Sequence, residues 1–98
     1  MDEESTLKID PFGNKWWKNK QRELHRLDGP AVEYLSGRKE WWENGKLHRE
    51  DGPAILYKDG GKSWFLDDIL YRSKEEYFNS LSDKAKAKCL FSEDFLNG

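Results

Sequence analysis

Apolar and polar positions in this 98-residue chain come in short alternating runs broken by turn residues, and the rhythm changes once, near residue 73. The clearest stretch is central. Lys39-Glu40-Trp41-Trp42-Glu43 sets an aromatic pair between charges and reads as a strand. Asn44-Gly45 tolerates the positive φ values of a type I′ turn, and Lys46-Leu47-His48-Arg49 is the return strand. Asp51-Gly52 turns the chain again, and Pro53 opens a strand where its missing N–H does least harm. Ala54-Ile55-Leu56-Tyr57 continues that strand up to a further turn at Lys58-Asp59-Gly60-Gly61.

The same phrase is written more than once. Leu24-His25-Arg26-Leu27-Asp28-Gly29-Pro30-Ala31 returns 23 residues later as Leu47-His48-Arg49-Glu50-Asp51-Gly52-Pro53-Ala54. Tyr34 and Tyr57, Gly37 and Gly60, Trp41 and Trp64, Trp42 and Phe65, and Arg49 and Arg72 keep the same offset. A period of this size signals stacked supersecondary units. The expected fold is therefore mainly β with an α segment: an antiparallel hairpin meander or short solenoid sheet, followed by a C-terminal helical segment. The expected divisions are a lead-in at 1–12, repeats over 13–72 (13–36, 37–59 and 60–72), and a helix with tail at 73–98. In the lead-in, Leu7, Ile9 and Phe12 alternate loosely, and Pro11 restricts any strand there to an edge.

Two repeats depart from the pattern. Pairing Trp16-Trp17 with Trp41-Trp42 places two extra residues in the first hairpin, within the basic tip Lys18-Asn19-Lys20-Gln21-Arg22. The third repeat keeps Trp64-Phe65 and Asp67-Asp68, but Tyr71 stands in the histidine position and no Asp-Gly-Pro follows. Past that point the period is helical. Ser73-Lys74-Glu75-Glu76 is a capping box. Tyr77, Leu81, Ala85 and Cys89 share one face, and Ser82-Asp83 offers a second cap, so 74–90 is one kinked helix or two short ones. Phe95 and Leu96 in the acidic tail either dock back or serve as a partner motif.

Composition tightens this picture. Charged residues make up 37% and apolar residues 36%, so burial must come from the 14% that are aromatic. The net charge of −2, with both signs mixed, disfavours nucleic acid as a partner. One cysteine, Cys89, excludes an internal disulfide and fits a reducing compartment. Met1-Asp2-Glu3-Glu4 is unlike a secretory signal and no run is long enough to span a membrane, so a cytoplasmic protein without a membrane partner is expected.

Strand alternation sends the two members of each aromatic pair to opposite faces. Stacked repeats thus make two aromatic ladders, one for the core and one either covered by the helix or left exposed for binding. The candidate contact ladder is Trp17, Trp42 and Phe65. Arg26, Arg49 and Arg72 form a candidate row for gripping an anion or acidic partner; the competing reading pairs each arginine with its own turn carboxylate or stacks it on tryptophan. His25 and His48 read as hydrogen-bonding strand residues. Further candidate contacts are Lys18, Lys20 and Arg22 in the tip and Phe95 in the tail.

Catalytic chemistry is not apparent. Two histidines and one cysteine match no zinc spacing. Gly61-Lys62-Ser63 resembles the end of a phosphate loop, but Leu56 occupies the place of its first glycine. Cys89 lies on the apolar helical face, as a structural cysteine does. No enzyme activity, cofactor or metal is expected.

The form Gly-x-x-x-Trp-Trp-x-Asn-Gly-x-Leu-His-Arg-x-Asp-Gly-Pro-Ala is complete from Gly37 to Ala54 and nearly complete from Asn14 to Ala31. It resembles the MORN-like repeats of bacterial and phage proteins, including those described as YwqK-type antitoxin components. The resemblance covers residues 13–72 and implies an elongated hairpin array with a binding role. It suggests a small phage or bacterial accessory protein that binds and inhibits a host enzyme or defence component. A nucleotide-signal sponge and a structural piece that oligomerises through its sheet edges are the alternatives. The host cytoplasm is the expected location for a phage-encoded protein.

Overall fold

The structure is a computed structural model that describes residues 5–97; the acidic start of the lead-in, residues 1–4, and Gly98 lie outside the described residues. Among the described residues, nine antiparallel strands and three short helices follow in chain order. These are β1 (Thr6–Ile9), β2 (Lys15–Lys18), β3 (Val32–Glu33), β4 (Lys39–Glu40), β5 (Trp42–Glu43), β6 (Lys46–Leu47), β7 (Ile55–Leu56), β8 (Lys62–Leu66) and β9 (Ile69–Tyr71). The helices are α1 (Lys74–Asn79), α2 (Asp83–Cys89) and α3 (Glu93–Leu96).

Seven strands form one meandering sheet in the order β1-β2-β3-β4-β7-β8-β9, and β5 with β6 forms a separate hairpin. The strand expected over Lys39–Glu43 is therefore split in two. Its physical cause lies at Trp41, which falls between the two strands and bonds in both directions: its N–H donates to the Ala54 carbonyl, and its own carbonyl accepts from His48 N–H. The chain bends there and leaves the main sheet for the Asn44-Gly45 hairpin. Asn44 and Gly45 have φ of 49° and 80°, as a type I′ turn requires. At the opposite margin, Tyr34–Gly37 and Tyr57–Gly60 are closed by the same bond, glycine N–H to tyrosine carbonyl.

These equivalent bonds reset the register of the first repeat. Trp17 N–H donates to Ala31, just as Trp41 N–H donates to Ala54, and the Trp17 carbonyl accepts from His25 as that of Trp41 accepts from His48. The structural equivalents are thus Trp17, Trp41 and Trp64. This corrects the expected ladder of Trp17, Trp42 and Phe65. The first tip carries one extra residue, not two, because Trp17 to His25 must match Trp41 to His48. Lys18 is the first-repeat counterpart of Trp42 and Phe65.

Beyond β9 the meander gives way to helices, each opened by a serine. Ser73, Ser82 and Ser92 accept through their side chains from Glu76, Ala85 and Phe95 N–H, respectively. The two anticipated caps start two separate helices, and Ser92 starts a third. The expected apolar face is buried: Tyr77, Leu81, Ala85 and Cys89 pack with Trp64 and Phe95 into the main aromatic cluster. Phe95 meets Trp64 edge-on at 5.9 Å between ring centroids. The tail docks back, so Phe95 is a core residue and not a surface contact for a partner.

None of the helices among the described residues is long and apolar enough to cross a membrane. Replacing Phe95 with alanine removes a ring that is 7% exposed, and its expected cost is about 3 kcal/mol. Urea unfolding followed by tryptophan fluorescence measures it, because Trp64 reports on the same cluster.

Candidate functional site

Each full repeat builds the same arrangement around one arginine. The Arg49 Cζ lies 3.8 Å from the centre of the Trp41 ring. In the plane of the guanidinium, Nε donates to Asp51 at 2.9 Å, Nη1 to the Pro53 carbonyl at 3.1 Å and Nη2 to Asp94 at 2.8 Å. On the side of the turn lies Gly52, where an added Cβ would fall 2.9 Å from Arg49 Cζ. The guanidinium is therefore enclosed by Trp41 and the Asp-Gly-Pro turn. Glycine is required by this approach, not by its backbone angles.

The first repeat reproduces this geometry. The Arg26 Cζ sits 3.8 Å from the Trp17 ring centre, with Nε on Asp28 at 3.0 Å and Nη1 on the Pro30 carbonyl at 3.1 Å. A Cβ on Gly29 would meet Arg26 Cζ at 3.0 Å. Glu33 supplies a further carboxylate at 3.5 Å from Nη1. Of the two arginines, the helical segment closes only Arg49, through Asp94. The arginine row thus forms structural clamps at two rungs. Arg72 does not continue it: the side chain is exposed, because the chain turns into the Ser73 cap and offers no Asp-Gly-Pro turn to receive it. The Trp64 ring is met by Tyr77 instead, at 4.9 Å between centroids.

The histidines tie one repeat to the next. His25 Nδ1 accepts from Asn44 N–H at 2.9 Å, and His48 Nδ1 accepts from Asp67 N–H at 3.1 Å. His48 also lies between two carboxylates, with Nδ1 3.3 Å from Asp67 Oδ1 and Nε2 3.2 Å from Glu50 Oε2. The repeated Leu-His-Arg-x-Asp-Gly-Pro-Ala segment is thereby absorbed into the scaffold.

The other sheet face carries Glu40, 5% exposed yet fully engaged. It accepts from Arg38 Nε at 2.8 Å and from Trp42 Nε1 at 2.9 Å. Trp42 is half-buried and anchored by that bond, and Phe65 is half-buried opposite Leu70. Lys20 and Arg22 are exposed on the first tip, whereas Lys18 is half-buried and lines a shallow groove with Trp16 and Tyr34. The structure therefore brings Trp17, Arg26 and Arg49 near one face, buries Phe95 against Trp64 at the third rung, and separates Trp42, Phe65 and Arg72 from the arginine clamps.

Between the first Asp-Gly-Pro turn and the second rung lies an open cleft of about 350 Å³. No sequence motif marks it, because its walls come from residues that each look structural alone. Arg26, Leu27, Asp28 and Gly29 form one wall, and Trp41, Glu43, His48 and Arg49 line it from the second repeat. Asp28, Glu43, Glu50 and Asp51 set four carboxylates against the cations Arg26, Arg49 and Lys88. With Nε and Nη1 of both arginines already engaged, the cleft has little capacity to grip a phosphate.

Cys89 faces away from solvent, with Sγ donating to the Glu50 carbonyl at 3.4 Å, and burial pushes its thiol pKa up. Tyr77 is also buried; its hydroxyl donates to the Arg49 carbonyl and accepts from Gly52 N–H at 3.3 Å.

Arg49→Lys keeps the charge but loses the stacked plane and its directed donors, leaving Asp51 and Asp94 poorly paired. The expected cost is about 3 kcal/mol; the half-exposed Arg26 pair makes Arg26→Lys milder. Gly52→Ala pushes against a guanidinium already pinned by Trp41, with an expected cost of about 1–3 kcal/mol. Chemical denaturation of the three variants tests this order.

Burial raises the Tyr77 pKa above its ordinary value of 10.0. The unfolded chain then releases this proton before the folded one does. Its contribution to stability is complete below pH 10 and declines as pH rises above that value. The difference in stability between wild type and Tyr77→Phe is expected to shrink above pH 10, measured by urea unfolding across that range.

Comparison with protein-family models, curated proteins and solved structures returns no match to this chain.

Proposed function

We propose that this chain is a non-enzymatic protein-binding module, a small phage or bacterial protein that docks on a host enzyme or defence component and inhibits it. One observation carries the binding role: large apolar side chains stand exposed at the tips of the first two margin turns. Phe12 is 76% and Leu35 74% exposed. They sit on neighbouring turns, since Leu35 N–H donates to Asn14 and a Cβ on Gly13 would touch the Leu35 side chain at 3.6 Å. The equivalent third turn carries Lys58 and Asp59 instead. Paired exposed apolar groups in so polar a chain suit a contact surface. The identity of the target class rests on the MORN-like resemblance of residues 13–72.

The nucleotide-sponge alternative is less well supported, because Arg26 and Arg49 already hold carboxylates and carbonyls. Affinity capture from bacterial lysate tests the main reading. The full chain is expected to retain a target that the Phe12→Ser/Leu35→Ser double variant loses, with thermal stability unchanged. Recovery of the same proteins by both baits would argue against a role for these tips. Thermal stabilisation by cyclic nucleotides at saturation would favour the sponge instead.

A further inference from the structure

The repeat gives the open cleft an internal standard. Tyr77 of α1 occupies a site made from the Arg49 carbonyl, Gly52 N–H, the Trp64 ring and the Tyr71 ring. Moving back one period of 23 residues converts these into Arg26, Gly29, Trp41 and His48. All four line the open cleft. Among the described residues, Gly29 N–H and the Arg26 carbonyl have no hydrogen-bond partner, whereas their second-repeat equivalents are both bonded to the Tyr77 hydroxyl. The cleft is therefore the first-repeat copy of the tyrosine site, with nothing from the described chain inserted in it.

Two neighbouring features extend the match. Leu27, at the position where the Glu50 carbonyl receives the Cys89 thiol, is 62% exposed at the cleft wall. Arg26 Nη2 has no carboxylate in the described residues, while Arg49 Nη2 holds Asp94. The walls differ in one respect. Glu43 and His48 replace the partly buried Leu66 and Tyr71 that pack around the filled site, so the open copy is the more polar.

We propose that this cleft is a receptor for a tyrosine side chain presented by a protein partner. The ring lies against Trp41, and the hydroxyl donates to the Arg26 carbonyl and accepts from Gly29 N–H, as Tyr77 does one repeat on. Arg26 Nη2 and the Leu27 side chain then meet the partner backbone and an apolar neighbour of the tyrosine. This assignment rests on the protein-binding reading and adds the chemistry of the contact.

A library of randomised helical peptides displayed on phage, selected on the full chain, tests it. Enriched peptides are expected to carry a tyrosine. Its replacement by phenylalanine should weaken binding about tenfold or more, since the buried carbonyl and amide lose their shared partner. In nitrogen-15 NMR spectra the Gly29 amide should shift with the tyrosine peptide, and the exposed-site variant Leu27→Glu should bind it less well while folding normally. Tyrosine-free peptides, or binding indifferent to the hydroxyl and to Leu27→Glu, would overturn the cleft assignment while leaving a binding module elsewhere on the surface. A concentration-dependent shift of Gly29 without peptide would assign the cleft to a second copy of this chain and would also overturn it. No enrichment at all would overturn the tyrosine site, and lysate capture judges the broader reading separately.

Discussion

A guanidinium held between a tryptophan ring and a glycine turn is the interaction on which the rest of this fold depends. A chain with 37% charged residues has little aliphatic material for a core. Stacking arginine on tryptophan lets a charged side chain serve as packing, with a cation–π attraction of about 0.5–2 kcal/mol added to the buried area. The cost of desolvating Arg49, 8% exposed, is offset because acceptors surround its edge: Asp51, the Pro53 carbonyl and Asp94. The same demand explains the Asp-Gly-Pro-Ala string. Aspartate and the proline carbonyl accept, glycine leaves room for the flat cation, and the buried alanines Ala31 and Ala54 receive the backbone N–H of Trp17 and Trp41.

Such a clamp needs a turn on one side, so the last repeat cannot complete it. At the third rung the chain substitutes an aromatic cluster. Trp64 lies between no arginine and no glycine turn; Tyr77 and Phe95 meet it instead. The helices also reach back, through Asp94 to Arg49 and through the Tyr77 hydroxyl to the second turn. The cap is therefore joined to the array by the groups that the array itself uses, and the polar ladder ends in an apolar core.

Much of this was legible in the sequence. The period, the type I′ hairpin at Asn44-Gly45, the serine caps at Ser73 and Ser82, and the buried face from Tyr77 to Cys89 each have a local cause that residue order displays. What was not legible depends on pairing across strands. Adjacent aromatics in Trp16-Trp17 and Trp41-Trp42 allow two alignments one residue apart, and only the bonds of Trp17 to Ala31 and of Trp41 to Ala54 choose between them. A one-residue slip exchanges the faces of a strand, so Trp42 and Phe65 align with Lys18 and not with Trp17. Docking of Phe95 is one of two alternatives in the sequence, and a four-residue helix carries no periodicity of its own to choose between them.

The histidine links have a direction. His25 reaches forward to Asn44 and His48 reaches forward to Asp67, each from one unit into the hairpin of the following unit. Each of the two full units therefore offers an acceptor at its trailing side, and each unit that follows offers an amide at its leading side, like a tongue and groove. A duplicated 23-residue segment inserted between the two full units would find both connections already made, and only the final unit must match the helices. Array length in such a chain is thus free to drift by whole units during evolution, while the terminal cap stays fixed.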